Sequence, residues 1–200
     1  MRRRSSVLLL IAVLALVPLG AQGRLSKQDA ERFQSKLTKI VAFGNTPATR
    51  AAQPLATPLT DVELNSYLHY MAGDQIPVGI VEPTLSAVGN GRVTGRAIVD
   101  LDAVRKQKQR GWLDPVGYLG GRLPVTAAGV LTTKDGKGQF QLESAEISGV
   151  TVPKTVLQEL LTYYSRTPEN PDGINMDAPF ELPARIREIR VGTGTSTIVQ

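Results

Sequence analysis

The chain has 200 residues, with 23 Lys and Arg against 18 Asp and Glu, one histidine and no cysteine. That composition leaves out disulfides, a lipid-modified cysteine and any Cys/His zinc site. Three of the arginines fall in Met1–Gly23; without them the balance is 20 against 18, and with few aromatic residues the sequence argues against a nucleic-acid partner.

Met1 to Gly23 reads as a secretory signal. Arg2, Arg3 and Arg4 form a positive head, Val7 to Val17 an apolar run of eleven residues, and Ala21-Gln22-Gly23 a small-residue cleavage site after Pro18. The alternative is an uncleaved anchor, but a span needs about 20 apolar residues, and this run is shorter. The expectation is export to the periplasm or the outside, with cleavage after Gly23 outweighing retention at the membrane. The 177 residues that remain make one domain's worth of chain with ample apolar content for a core.

Leu25 to Phe43 has the spacing of an amphipathic helix, with Ser26 and Asp29 at its start like a capping box. Phe33, Leu37, Ile40 and Val41 make a narrow stripe, and Lys27, Arg32, Lys36 and Lys39 lie on other faces. Interspersed acidic and neutral residues favour docking on the domain over lying at an anionic membrane. Asn45 to Pro58 is expected to be a Pro-rich linker. The expected division is therefore signal 1–23, helix 24–44, linker 45–58 and an α+β domain over 59–200.

Thr60 and Glu63 form a capping box, with Leu59 and Leu64 placed as a hydrophobic staple. The helix that follows presents Leu64, Tyr67, Leu68 and Met71, and Gly73 suits its end. His69, the one histidine, reads as a packing or surface residue. A long hairpin is predicted over Ile76 to Leu101, turning at Gly89-Asn90-Gly91, and a second turns at Lys134-Asp135-Gly136-Lys137. The apolar alternation slips by one residue after Pro83, between Ala127 and Ala128, between Leu142 and Ala145, and after Ile186. A slip of one residue marks a bulge, and bulges bend strands. Four slips predict a sheet built to curve.

The segment between the hairpins carries Arg105, Lys106, Lys108 and Arg110 ahead of Trp112 and Tyr118, with five glycines or prolines, and reads as a crossover loop. Two roles compete for it: a solvated turn whose Trp plugs the core, which outweighs the other, and a contact with an anionic membrane. Pro153 to Tyr164 is predicted to be a helix whose stripe is Val156, Leu157, Leu160, Leu161 and Tyr164, held between two β segments. The expected fold is a curved, bulged antiparallel sheet wrapped around one or two amphipathic helices. Its apolar groove would be lined by Leu64, Leu68 and Met71 from the first helix and Val156, Leu157, Leu160 and Leu161 from the second. The final segment, from Phe180, reads as two strand pieces joined by Pro183, with a turn at Gly192 to Gly194.

Thr60 to Asn65 (TDVELN), Gly149 to Leu161 (GVTVPKTVLQELL) and Pro179 to Gly194 (PFELPARIREIRVGTG) together resemble small bacterial envelope members of the tubular lipid-binding (TULIP-like) superfamily. The resemblance runs from about Leu59 to Val199. It implies a curved sheet around a long helix, a lipid-lined groove and no catalytic residues to carry over. Short helices and a single module are departures from that pattern.

No catalytic motif is present: GxxxxGK, GxSxG and HExxH are all missing, and Gly192-Thr193-Gly194 has no helix after it. Asp100 and Asp102 are two carboxylates at a strand end, better read as solvated than as a cation site. Glu143 and Glu146 straddle a slip and cannot be assigned to one face. No cofactor, metal or enzyme activity is expected. Two functions remain: an exported lipid-binding or lipid-transfer module touching lipid or a membrane surface, and a cell-envelope assembly subunit with a protein partner.

Overall fold

The computed structural model describes residues 23–46, 54–107, 120–166 and 170–200. Nearly all of the expected signal, part of the linker, and Lys108, Arg110, Trp112 and Tyr118 lie outside the described residues.

Helix α1 spans Lys27–Asn45. Ser26 stays extended, with φ −138°, and its Oγ accepts the Asp29 N–H at 3.0 Å, which satisfies one of the donors a helix start leaves open. Ala30, Phe33 and Ile40 are buried, Leu37 is half-buried and Val41 is exposed, so the stripe docks inward on three turns of the helix.

The chain becomes regular again at strand β1 (Ala56–Thr60), earlier than its prolines suggest. Pro58 is tolerated because β1 is an edge strand, pairing on one side with β9 (Thr195–Val199). Strand β8 (Glu188–Val191) on the other side of β9 completes a three-stranded antiparallel sheet. Thr60 ends β1 and caps helix α2 (Asp61–Tyr70). The full capping box forms: Thr60 Oγ1 accepts the Glu63 N–H at 3.2 Å, and Glu63 Oε2 accepts the Thr60 N–H at 2.9 Å.

The main core lies here. Phe33, Tyr67 and Ala72 form one buried cluster, edged by Leu37, Leu59, Leu64, Leu68 and Ile76. Ile40, Ile186 and Ile198 form a second, edged by Leu59, Leu182, Ala184 and Ile189. Leu59 touches both, so β1 joins the two clusters.

The larger sheet is antiparallel in the order β2 (Ile80–Gly89), β3 (Arg92–Asp100), β4 (Arg122–Lys134), β5 (Lys137–Ile147) and β6 (Val150–Thr151). A short β7 (Phe180–Glu181) pairs with the start of β5. The chain is thus α+β with an open, curved antiparallel sheet. Both long hairpins close on two left-handed residues, Asn90-Gly91 (φ 53° and 78°) and Asp135-Gly136 (φ 50° and 82°). Such turns match the twist of the strands they join.

Two of the expected phase slips are bulges. In β2 the register jumps between Val81 and Thr84, where Glu82 takes φ 49°. In β5, Ser144 faces Ala128 and Leu142 faces Gly129, so Glu143 is the extra residue. The other two slips are not bulges. Strand β4 keeps unbroken register with β3 through Ala127 and Ala128. Ile186 precedes β8, set off by the left-handed pair Ala184 and Arg185. A further register shift in β2, between Ala87 and Gly89, adds to these two, and together they bend the sheet.

Register sorts the sheet into unlike faces. Ala87, Val93, Ala97, Val99, Leu123, Val125, Ala127, Leu131, Phe140, Leu142, Ala145 and Ile147 share one side, and Arg92, Thr94, Arg96, Arg122 and Thr126 share the other. On the apolar side Ala87 and Ala145 are buried, while Val93, Ala97, Val99, Val125 and Leu131 remain half-buried. Among the described residues, strand β3 packs chiefly with its strand neighbours, and no described helix packs closely on the middle of that apolar face.

Two expectations change. Helix α4 (Lys154–Ser165) is not the centre of the domain; it packs on β5 at one margin of the sheet. None of its described residues is fully buried, and Val156 is 43% exposed. Its stripe is real, but α1 and α2 occupy the place where a core can close around a helix. Leu101 to Gln107 is also not loop or strand but a short helix, α3, carrying Arg105 and Lys106.

Candidate functional site

The site builds from the edge of β2. Asn65 stands in for a neighbouring strand: its Nδ2 donates to the Leu85 carbonyl at 2.7 Å, and its Oδ1 accepts the Leu85 N–H at 2.8 Å. Asp61, one turn earlier on α2, accepts the Ala87 N–H at 2.9 Å. The Ala87 carbonyl accepts from the Gly194 N–H at 2.8 Å. This half of the edge is therefore closed to other strands. The other half diverges, because Pro83 has no N–H to offer and Glu82 turns the backbone.

Where α2 and β2 diverge there is a cleft of about 620 Å³, inside the range of small-molecule sites. Leu25, Leu68, Ile76, Val78, Ile80 and Val81 give it apolar walls, and Asn65, His69, Glu82 and Thr84 give it polar ones. Gly79, at φ 90°, lies flat against Val104 of α3. Any side chain there would collide with Val104, so the glycine lets α3 close on the start of the cleft wall.

The expected groove residues do not come together as expected. Leu64 and Leu68 edge the Phe33–Tyr67 cluster, and of these two Leu68 also lines the cleft. Met71 is 38% exposed at the end of α2. Val156, Leu157, Leu160 and Leu161 sit on α4 against β5, at the opposite margin of the sheet from β2. The cleft-lining residues Leu25, Ile76, Val78, Ile80, Val81 and Glu82 are not among the expected groove residues; Ile76, Val78 and Ile80 read from the sequence only as strand alternation. The slip after Pro83 and the i, i+4 pair Asp61 and Asn65 were their visible signals.

Of the expected membrane-contact residues, Arg105 and Lys106 are described, on α3 beside the cleft wall, and Arg105 pairs with Asp102. Both carboxylates of the Asp100–Asp102 pair are engaged within the protein, Asp102 with Arg105 and the Gly121 N–H. Asp100 caps α3 by accepting the Ala103 N–H at 2.9 Å, and that bond, with Arg122 at 3.2 Å, holds its carboxyl below the ordinary range. Among the described residues no group of three or more His, Cys, Asp or Glu is placed to hold a metal ion. No described helix is long and apolar enough to cross a membrane.

No family model matches the chain, and no curated protein matches it. Among solved structures, a crystal structure of lipopolysaccharide binding protein matches over 73% of this chain and 40% of that one, at 15% identity and a TM-score of 0.23. This chain thus spans well under two thirds of that protein, and the likeness is too slight to carry its properties over.

Proposed function

We propose that the chain is an exported, non-enzymatic module that binds or carries a lipid by its alkyl chain. The cleft between α2 and β2 carries this reading: it is apolar over most of its wall and belongs to the helix–sheet junction. The half-buried apolar face of the curved sheet gives a longer ligand somewhere to continue. The resemblance of Thr60 to Asn65 and Gly149 to Leu161 to tubular lipid-binding proteins points the same way.

Native mass spectrometry of the mature protein tests the proposal. A co-purifying lipid is expected. Val78→Asp, at a position 52% exposed, is expected to leave the fold intact and to weaken binding of a neutral alkyl probe about tenfold, since it sets a charge against the chain. A clean apoprotein that binds no such probe would end the lipid reading. The rival, an envelope assembly subunit, draws on Val150, Val156, Ile174 and Phe180, all exposed and all at the β5–β6–α4 margin. A stable protein complex lost on charging those residues would favour it.

The same proposal assigns membrane contact to Arg105, Lys106, Lys108, Arg110, Trp112 and Tyr118. Each basic side chain near an anionic leaflet gains about 1 kcal/mol, and indole and phenol rings favour the interface. Tryptophan emission is expected to shift to the blue on adding anionic vesicles and to return with salt. Emission that is already blue in buffer and unmoved by vesicles would place Trp112 in the core instead.

A further inference from the structure

We infer that the cleft between α2 and β2 selects a single-chain amphiphile with a cationic head, and that Glu82 is the selecting residue. The inference rests on the lipid-binding reading and adds the class of ligand.

The cleft is uneven along its length. Asn65, bonded to both backbone groups of Leu85, closes one end. Back along the chain from Leu85, Thr84 and Glu82 come next and the apolar Ile80 and Val78 follow, with Leu68 and Ile76 also in the lining. An alkyl chain laid against the apolar end brings its head to Glu82. Charge then decides. The described lining holds one carboxylate, Glu82, and one imidazole, His69, with no lysine or arginine. Arg105 and Lys106 stand on α3 outside that lining, and Arg105 pairs with Asp102. Among the described residues of the lining, a carboxylate or phosphate head would meet Glu82 and no lysine or arginine; an ammonium head would meet its partner. The backbone supports a role for the side chain. Glu82 sits at φ 49°, where glycine is the easy choice, so a glutamate is held at a strained position on the cleft wall.

Three probes of equal chain length separate the possibilities: dodecyltrimethylammonium, dodecanoate and monododecanoylglycerol, each below its micelle concentration. At low salt the ammonium probe is expected to bind about tenfold tighter than dodecanoate, the size of gap a partly solvated ion pair and its like-charge converse produce. The gap is expected to narrow as salt rises. Glu82→Gln and Glu82→Gly are each expected to remove it, the gap being read as the ratio of ammonium to dodecanoate affinity with monododecanoylglycerol as the reference for the cleft itself. The glycine variant relieves the strain, so loss of fold does not obscure the result. Equal or tighter binding of dodecanoate, or a gap that survives in both variants, overturns the inference and leaves the lipid reading standing. Failure of all three probes to bind overturns both.

Discussion

Replacing Tyr67 with alanine is expected to destabilise the domain by about 3–5 kcal/mol, the usual cost of emptying a buried aromatic site. Tyr67 is 5% exposed, its ring centroid lies 4.9 Å from that of Phe33, and its hydroxyl accepts from Gln75 Nε2 at 2.8 Å. The substitution removes a ring, a ring–ring contact and a hydrogen bond at the junction of α1 and α2. For a domain of this size the melting temperature is expected to fall by roughly 10 °C or more, read by circular dichroism. Tyr67→Phe keeps the ring and loses only the bond from Gln75, at about 1 kcal/mol. Leu160→Asp is the contrasting variant. If α4 were the centre of the fold, a charge there would unfold the chain. Leu160 is half-buried at the sheet margin, so its aspartate variant is expected to stay folded. A Leu160→Asp protein that unfolds beside a Tyr67→Ala protein that does not would return α4 to the centre.

Breaking the ion pair between Lys36 and Glu63 is expected to have the next largest effect. Lys36 Nζ donates to both Glu63 oxygens, at 2.7 and 2.8 Å, and to the Pro58 carbonyl at 2.7 Å. The pair thus ties α1 to α2 and to β1. Glu63 is buried, and burial by itself would raise its pKa. The Lys36 ammonium and the Thr60 N–H outweigh that and hold the carboxyl below its ordinary value. Lys36→Met leaves that carboxylate without its cation. A fully buried pair would cost 3–5 kcal/mol; solvent reaches the Lys36 side chain, so about 2 kcal/mol is expected.

The pH dependence follows from the sign of the shift. A carboxyl whose pKa is lower when folded binds fewer protons in the native state than in the unfolded one. Its contribution is fully present above the ordinary carboxylate range and is lost as pH falls through the lowered folded value. Urea midpoints of the wild type are therefore expected to drop as pH falls below that range. Part of that drop is expected to vanish in the Glu63→Gln variant. Parallel pH curves for the two proteins would show that Glu63 does not carry this share.

Much of the local structure was legible in the chain itself, because it depends on groups a few residues apart. Ser26 with Asp29, and Thr60 with Glu63, announce two helix starts through bonds that close within one turn. Asn90-Gly91 and Asp135-Gly136 announce two hairpins, since few residues accept a left-handed backbone. The slips after Pro83 and after Leu142 announce two bulges, because strand alternation cannot absorb one extra residue unnoticed. From these follow the α+β class and a sheet that bends.

What the tertiary structure decided was which apolar stripe is covered, and by what. Periodicity says that a stripe exists; it does not say where the stripe lies in space. The α4 stripe and the α2 stripe look alike in sequence, yet Tyr67 is buried and Val156 is exposed. The difference comes from partners far away in the chain: Phe33 and Leu37 on α1 pack with the Tyr67 cluster, and Leu59 of β1 joins it to the second cluster of Ile40, Ile186 and Ile198. The cleft is non-local in the same way. It exists because Asn65 and Asp61 hold one half of the β2 edge, while Glu82 and Pro83 swing the other half away from α2. Each of these residues reads separately as a helix polar face or a strand irregularity. Only packing α2 against β2 turns them into walls and a polar end, because a cavity is a property of surfaces that fail to meet.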